Sequence, residues 1–313
     1  MISLTLSLIL AAAPIPKSSG TYEGQIGVLV AQPEPEILLL RPNGDEVKRV
    51  PLKNIEGRPF AIRLARQAEF AVVTFQRPNV NTMDDYYIPL NGKEKPRRFW
   101  ENDTTYTATI CLASDGKTAF TSVIDEAASN LNQGILKFKH WKIDVKTGKK
   151  EKYDLDADYN ILDLSQDPGD MILVSKRNKG MLEVSLVSMT TRKVVSTMTE
   201  VTGLPLLIAN GKSVMIYSTN AQNGVFRNVI SIRDFGSTDT KPAPVPNETG
   251  MMANIRSVGA DNEHVAFSYV EGGNPFGGAA GETHIVTSNF KKNSAKVIYK
   301  SKAGETIQDF DWR

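Results

Sequence analysis

Short apolar runs alternate with polar turns along the whole chain, and the runs are rich in Val, Ile, Thr, Phe and Tyr. They are bounded by Gly, Asn, Asp and Pro, a pattern typical of short β-strands. No stretch sustains the period of an amphipathic helix. The segment that most favours a short helix is IDEAASNLNQG at 124–134, inside a connection. The pattern predicts an all-β protein.

The runs recur in a fixed order of strand, polar turn and second strand. The copies are YEGQIGVLVA, ARQAEFAVVTF, ASDGKTAFTS, SQDPGDMILVS, ANGKSVMIYS and ADNEHVAFSY, with turns 42 to 53 residues apart. A hairpin follows each copy. The Asn-Gly pairs at 43–44 and 91–92 favour two-residue turns in which both residues have positive φ. Six repeats of four strands predict a six-bladed β-propeller of four-stranded antiparallel blades.

The last residues, TIQDFDWR at 306–313, have the pattern of another innermost strand, and no further strand follows them. The first repeat, near Tyr22, lacks such a strand. We therefore expect the C-terminal strand to complete the first blade and close the ring, which removes exposed sheet edges. This predicts one propeller domain over 21–313, preceded at 1–20 by a signal peptide or a disordered segment.

The N-terminal apolar stretch, 2–13, has the length of a signal-peptide core and ends in three alanines suited to a cleavage site. No Lys or Arg precedes it and Pro14 follows it, so a buried N-terminal strand is the alternative. We expect an exported protein, periplasmic or secreted, with a cytoplasmic one as the alternative. No cysteine follows the stretch, which argues against a lipoprotein, and no later segment is suited to cross a membrane.

The charge balance is nearly even, with 37 Lys and Arg against 35 Asp and Glu. The lysine-rich stretches are short and lie beside turns, whereas a nucleic-acid binder shows a basic stripe, so no nucleic-acid partner is expected. The single cysteine, Cys111, lies in an apolar run and is predicted to be a small core residue.

The turn Ser-Asp-Gly-Lys followed by Ala-Phe-Thr-Ser, at 114–122, resembles the WD40-like (TolB-type) propeller repeat. In that family a Ser-Pro-Asp-Gly-Lys turn precedes an Ile-Ala-Phe strand. The segments 209–218 and 260–269 are similar but looser, and the terminal DFDWR resembles the family's inner strand. The resemblance covers about 21–313. It implies a six-bladed propeller, often exported, that docks proteins or cell-envelope components and has no shared catalytic residues.

Propeller topology puts the Asp-Gly turns and hairpin tips on one face and the middle connections of the blades on the other. Two middle connections are long, 123–140 and 269–284, and 76–87 is intermediate. Long loops in a compact domain are often functional, although they can also be tolerated insertions. We predict binding on this face, near the following residues: Arg77, Asp84, Asp85, Asp125, Glu126, Asn274 and Phe276.

Catalytic and metal-binding patterns are weak. His264 should lie at the opposite end of its blade from His284, and His140 closes a different loop, so no shared metal site is predicted. No Gly-x-Ser-x-Gly elbow is present. Asp309 and Asp311 alternate along the C-terminal strand and are expected to face a solvated axial channel. No cofactor or metal is predicted.

These observations favour a monomeric, non-enzymatic interaction scaffold that docks a protein or cell-envelope ligand on its loop-rich face. The alternative is a propeller enzyme, of glycosidase, lyase or lactonase type, with its site at the central channel. A purely structural envelope protein is a third possibility.

Overall fold

The computed structural model describes residues 24–65, 69–78, 82–102, 110–166, 170–178, 181–208, 211–222, 225–243, 251–257, 264–271 and 281–313. These residues form six four-stranded antiparallel sheets, which we number as blades 1 to 6 in chain order. The innermost strand of each blade contacts the innermost strand of the next, and the last contacts the first. The contacts therefore close a ring, and the predicted six-bladed propeller is confirmed.

The strand bounds follow the repeat. Blades 1 to 3 contain β1 Ile26–Gln32, β2 Glu36–Leu40, β3 Glu46–Pro51, β4 Arg58–Leu64, β5 Phe70–Gln76, β6 Met83–Pro89, β7 Arg97–Asn102, β8 Ile110–Leu112, β9 Thr118–Ile124, β10 Phe138–Asp144 and β11 Lys150–Lys152. Blades 4 to 6 contain β12 Asn160–Leu164, β13 Met171–Asn178, β14 Met181–Ser188, β15 Val194–Val201, β16 Leu204–Leu207, β17 Ser213–Gln222, β18 Val225–Asp234, β19 Thr240–Pro242, β20 Met251–Ser257, β21 His264–Glu271, β22 Glu282–Asn289 and β23 Ser294–Lys300. The last strand, β24 Thr306–Trp312, belongs to blade 1.

Closure of the ring by the C-terminal strand is confirmed. Blade 1 has the strand order β24-β1-β2-β3, so its innermost strand comes from the other end of the chain. In the antiparallel register, Val28 lies opposite Phe310 and Ile26 lies opposite Trp312. Both aromatic side chains are buried among apolar residues of blades 6 and 1. The pairing gives β24 a hydrogen-bonded partner and an apolar environment.

Each blade is buried on both faces, which explains why its central strands are continuous apolar runs. Val28 belongs to the apolar cluster shared with blade 6, whereas its neighbour Leu29 belongs to the cluster shared with blade 2. Both side chains are fully buried. Successive side chains of a strand point to opposite faces, so a blade packed between two others needs apolar residues at every position.

The Asp-Gly turn of blade 3 depends on both of these residues. Gly116 has a φ of 62°, and its N–H donates to the Ala113 carbonyl over 3.1 Å. The Asp115 carboxylate accepts the N–H groups of Lys117 and Thr118 at 2.8 and 2.9 Å. Gly116 is therefore a structural residue, because glycine adopts this backbone conformation without strain.

Two local predictions differ from the structure. In the Asn-Gly turns only Gly44 and Gly92 have positive φ, because each loop is longer than two residues and the asparagine side chain instead accepts the N–H two positions on. The segment predicted as a short helix contains one 3-10 turn, Leu131–Gln133. Among the described residues, no helix has the length and apolar character needed to span a membrane.

Candidate functional site

The long middle connection of blade 3 forms one wall of a groove on the loop-rich face. The groove has a volume of about 500 Å³ and lies between blades 3 and 4. Its walls are residues 134–138 of the connection, Asp158 and Asn160 of the link between the blades, residues 175–177 and Leu182. A volume of about 500 Å³ lies within the range of small-molecule and cofactor sites.

Exposed apolar side chains are concentrated around this groove. Ile135 and Leu136 are 46% and 36% exposed, and Met181, next to the lining residue Leu182, is 55% exposed. Leu131 of the same connection is also exposed. These four are half of the large apolar side chains that are exposed in the described part of the chain. Exposed apolar side chains grouped in this way, with a polar rim, mark interaction sites.

The polar rim of the groove carries more positive than negative groups. Lys137 forms an ion pair with Asp158 across the groove. The Lys176 ammonium lies 2.9 Å from Glu183 and 5.3 Å from the centre of the Tyr159 ring, and the hydrogen bond that Lys176 donates to Glu183 raises the pKa of Lys176. The exposed Arg177 adds a third cation to the lining. The rim therefore suits a ligand with a carboxylate.

Hydrogen bonds hold the wall of the groove in shape. The N–H of Asn130 donates to the Ile135 carbonyl over 2.8 Å, and the N–H of Ile135 donates back over 2.9 Å. At the base of the connection, Asp125 lies 3.0 Å from the Lys139 ammonium, and the Asp125 carbonyl accepts the N–H of Ser129 over 2.9 Å. Of the two residues predicted here, Asp125 is thus part of the support, and Glu126 is exposed.

The other predicted residues lie on blade 2 or outside the described residues. Arg77 makes a two-point ion pair with Asp84, at 2.6 and 2.9 Å. Burial alone would raise the pKa of Asp84, but hydrogen bonds from Arg77 and Arg98 lower it below its ordinary value. Asp85 is buried, and burial raises its pKa to about 7 although Thr74 donates a 2.5 Å hydrogen bond to it. Asn274 and Phe276 lie outside the described residues.

The inner-strand carboxylates hold neighbouring blades together. Asp309 accepts the N–H of Ile62 over 3.0 Å, and Asp311 accepts the N–H of Leu64 over 2.8 Å. The two aspartates are 2% and 1% exposed, so the prediction that they face a solvated channel is wrong. The reason is that the N–H groups of β4 need acceptors and these side chains of β24 supply them.

A second contact of this kind joins blades 4 and 5, where Asp163 accepts the N–H of Leu207 over 3.2 Å. Arg313 lies between the two systems, with Nη2 3.7 Å from Asp163 and Nε 3.4 Å from Asp311. Cys111 is buried in the core as predicted, and burial raises the pKa of its thiol to about 12. The polar groups of the inner strands thus serve contacts between blades.

Blade 6 holds a polar group that the sequence prediction missed. The His284 ring is buried and lies 2.6 Å from the Tyr269 hydroxyl through Nδ1 and 2.6 Å from Glu282 through Nε2. Glu271 lies 3.4 Å from Nδ1. The sequence signal for this group is the two-residue spacing of Glu282 and His284, and of Tyr269 and Glu271, because residues two apart on a strand share a face.

Similar solved structures share this architecture. TolB from Acinetobacter baumannii matches 92% of this chain and 66% of its own length, with a TM-score of 0.62 and 11% sequence identity. A putative TolB from Agrobacterium tumefaciens matches 93% of this chain and 94% of its own length, with a TM-score of 0.57 and 10% identity.

The fold is a TolB-like β-propeller. The structure of a puromycin hydrolase is also similar: the match covers 87% of this chain and 42% of the hydrolase chain, with a TM-score of 0.50 and 15% sequence identity. No protein-family model matches the sequence, and none of the curated proteins matches it. Because unrelated activities share this fold, the function of the TolB-like propeller has to be argued from its surface.

Proposed function

We propose that this TolB-like propeller is a non-enzymatic interaction scaffold that works outside the cytoplasm and docks a protein partner of the cell envelope on its loop-rich face. The observation that carries the proposal is the groove between blades 3 and 4, with Ile135, Leu136 and Met181 exposed in and beside it. A channel enzyme has less support, because Asp309 and Asp311 are engaged in hydrogen bonds between blades.

The occupant that fits the groove is an extended segment of a partner protein with an apolar side chain beside an acidic one. The apolar side chain would cover Ile135 and Leu136, which removes their surface from water. The carboxylate would pair with Arg177, the exposed cation at the end of β13. The hydrogen-bonded wall favours binding, because little ordering is left to occur when the partner docks.

Site-directed photocrosslinking tests this assignment. The variant Ile135→Cys, labelled with benzophenone maleimide, places the crosslinker in the groove. Val47→Cys, labelled in the same way, places it near the hairpin tip of blade 1, on the opposite face. Val47 is 42% exposed, comparable with Ile135. The native Cys111 is buried and should not react. We expect envelope extract to give a crosslinked protein with the label at 135 and not at 47.

Binding of that purified protein then measures the contribution of the groove. We expect Ile135→Glu to weaken binding at least about tenfold, because a charge would be placed in the apolar contact. Val47→Glu introduces the same charge on the opposite face and should leave the affinity unchanged. Equal affinities for the two variants, or crosslinking from both positions, would show that the groove is not the docking site.

Export rests on the apolar stretch at 2–13, which lies outside the described residues. We expect the protein isolated from its native host to be found in the periplasmic or secreted fraction, starting after the alanines at 11–13. N-terminal sequencing of each fraction measures this. A cytoplasmic protein that still begins at Met1 would contradict export and leave the groove experiment unaffected.

A further inference from the structure

We propose that His284, Glu282 and Glu271 form a binding site for Zn²⁺ at the loop-rich end of blade 6. The three side chains offer one imidazole nitrogen and two carboxylate oxygens, all within 4.8 Å of one another. Histidine nitrogen and carboxylate oxygen are both ligands of zinc in proteins, and water completes the coordination where a site is open.

The register of β21 and β22 brings these residues to one face of the blade. Glu271 lies directly opposite Glu282, and Tyr269 lies directly opposite His284. Residues two apart on a strand share a face, so all four side chains are neighbours. The loop-rich end of the β21–β22 pair therefore holds three metal-ligating groups on two adjacent strands.

The imidazole is already oriented for a metal. The Tyr269 hydroxyl lies 2.6 Å from Nδ1, and the two rings meet edge to face with their centres 4.8 Å apart. A metal-binding histidine usually has its second nitrogen held by a hydrogen bond, which fixes the ring and its tautomer. With Nδ1 held by Tyr269, the nitrogen offered to the metal is Nε2, on the side of Glu282.

The charges around the imidazole favour a cation. Glu271 and Glu282 form a directly opposed like-charge pair, an arrangement that destabilises a sheet when uncompensated. Lys300 is 3.8 Å from Glu282 and is itself 57% exposed, so it compensates only in part. A divalent ion bound to Nε2 beside Glu282 would neutralise the pair once the Glu271 carboxylate, which lies 3.4 Å from Nδ1, turns to join it. Both carboxylates are about half exposed, so they can adjust to the distances that a metal requires.

The imidazole selects the class of metal. Histidine nitrogen suits Zn²⁺ and other first-row transition metals, whereas Ca²⁺ and Mg²⁺ prefer sites made only of oxygen ligands. We therefore expect isothermal titration of the full chain with ZnCl₂ to show one site per chain. An identical titration with CaCl₂ should show no saturable binding.

Variants with matched controls locate the site. The double variant E271Q/E282Q should weaken Zn²⁺ binding by more than about tenfold, because it removes two ligands. The control E151Q/D154N removes the same charge from exposed positions of blade 3 and of the link that follows it, and should bind as the wild type does. Tyr269→Phe should retain one site and weaken it by about 10- to 100-fold, since the ring stays but its hydroxyl is lost.

Cobalt gives a readout that ion pairing alone would not produce. Co²⁺ bound at this site should show visible absorption bands that Zn²⁺ abolishes and E271Q/E282Q lacks. The His264→Gln variant, changed at the opposite end of β21, should keep the bands. Absence of Zn²⁺ binding by the wild type, equal binding of Ca²⁺, or full retention of binding by E271Q/E282Q would each overturn the assignment.

Discussion

Asp311 is the residue whose replacement tests most directly how the ring is held closed. It lies on β24, the strand that joins the two ends of the chain, and it is almost completely buried. Its carboxylate accepts the N–H of Leu64 on blade 2 over 2.8 Å and lies 3.4 Å from the Arg313 guanidinium. Asp311→Ala removes both contacts at once, leaving a buried N–H without its acceptor and a buried arginine short of one counter-ion.

The size of the effect follows from these two losses. A buried N–H left without an acceptor costs about 1–3 kcal/mol. Removing one partner of a buried ion pair costs about 3–5 kcal/mol, and Arg313 keeps Asp163 as a second, more distant partner, 3.7 Å away. We therefore expect Asp311→Ala to lower the free energy of unfolding by about 4 kcal/mol. Asp311→Asn should cost about 1–2 kcal/mol less, because its amide oxygen still accepts from Leu64.

Urea unfolding followed by tryptophan fluorescence measures these differences. Trp312, one of three tryptophans in the chain, lies one residue from the substitution and is buried between blades, so its part of the emission changes when the closure is lost. The control is Asp154→Ala, whose side chain is 88% exposed and whose replacement should change the free energy by less than about 0.5 kcal/mol. If Asp311→Ala unfolds within about 1 kcal/mol of the wild type, the carboxylate does not hold the blades together.

Three further predictions concern the turns, the thiol and a buried carboxyl. Gly116→Ala should lower the free energy of unfolding, measured in urea, by about 1–2 kcal/mol, because alanine is strained at a φ of 62°. An added Cβ meets no atom within 4 Å, so no steric clash adds to this strain. Cys111 should resist a thiol reagent in the native protein and react in urea, since burial raises its pKa to about 12. Burial raises the pKa of Asp85 to about 7, so the folded state keeps a proton that the unfolded state has lost above about pH 4. The free energy of unfolding should therefore fall as the pH rises from about 4 to about 7, by about 4 kcal/mol at most. Asp85→Asn should remove this contribution of Asp85 in a series of urea unfolding curves measured at different pH values.

The blades could be predicted from the sequence because each repeat carries its own local signals. The apolar run that follows each polar turn became the second strand of a blade, as with 118–124 after Asp115 and Gly116. Burial of both blade faces made these runs continuous, and the Asp-Gly turn has a backbone requirement that few residues meet. Closure by β24 followed from the same pattern, because one inner strand was missing near Tyr22 and one was extra at the end.

The environment of Asp309 and Asp311 could not be predicted in this way. Alternation along a strand shows that two side chains share a face, but it does not show what that face meets. Here it meets the backbone of β4, almost 250 residues earlier in the chain, and the contact exists only once the ring is closed. The same limit applied to His284, whose partners depend on the register between β21 and β22.

The groove was the hardest feature to predict because the repeat does not constrain it. Its wall at 134–138 and its opposite side at 175–177 come from different blades, and the middle connections that form such sites differ in length from blade to blade. A turn such as Asp115-Gly116 is restricted by its backbone geometry, whereas a middle connection only has to join two strands that are already paired. Ile135 and Leu136 contribute little to the packing between blades, since both are exposed. A partner-binding surface can therefore change on the loop-rich face without changing the fold, and propellers that are 10% and 11% identical to this chain share its architecture.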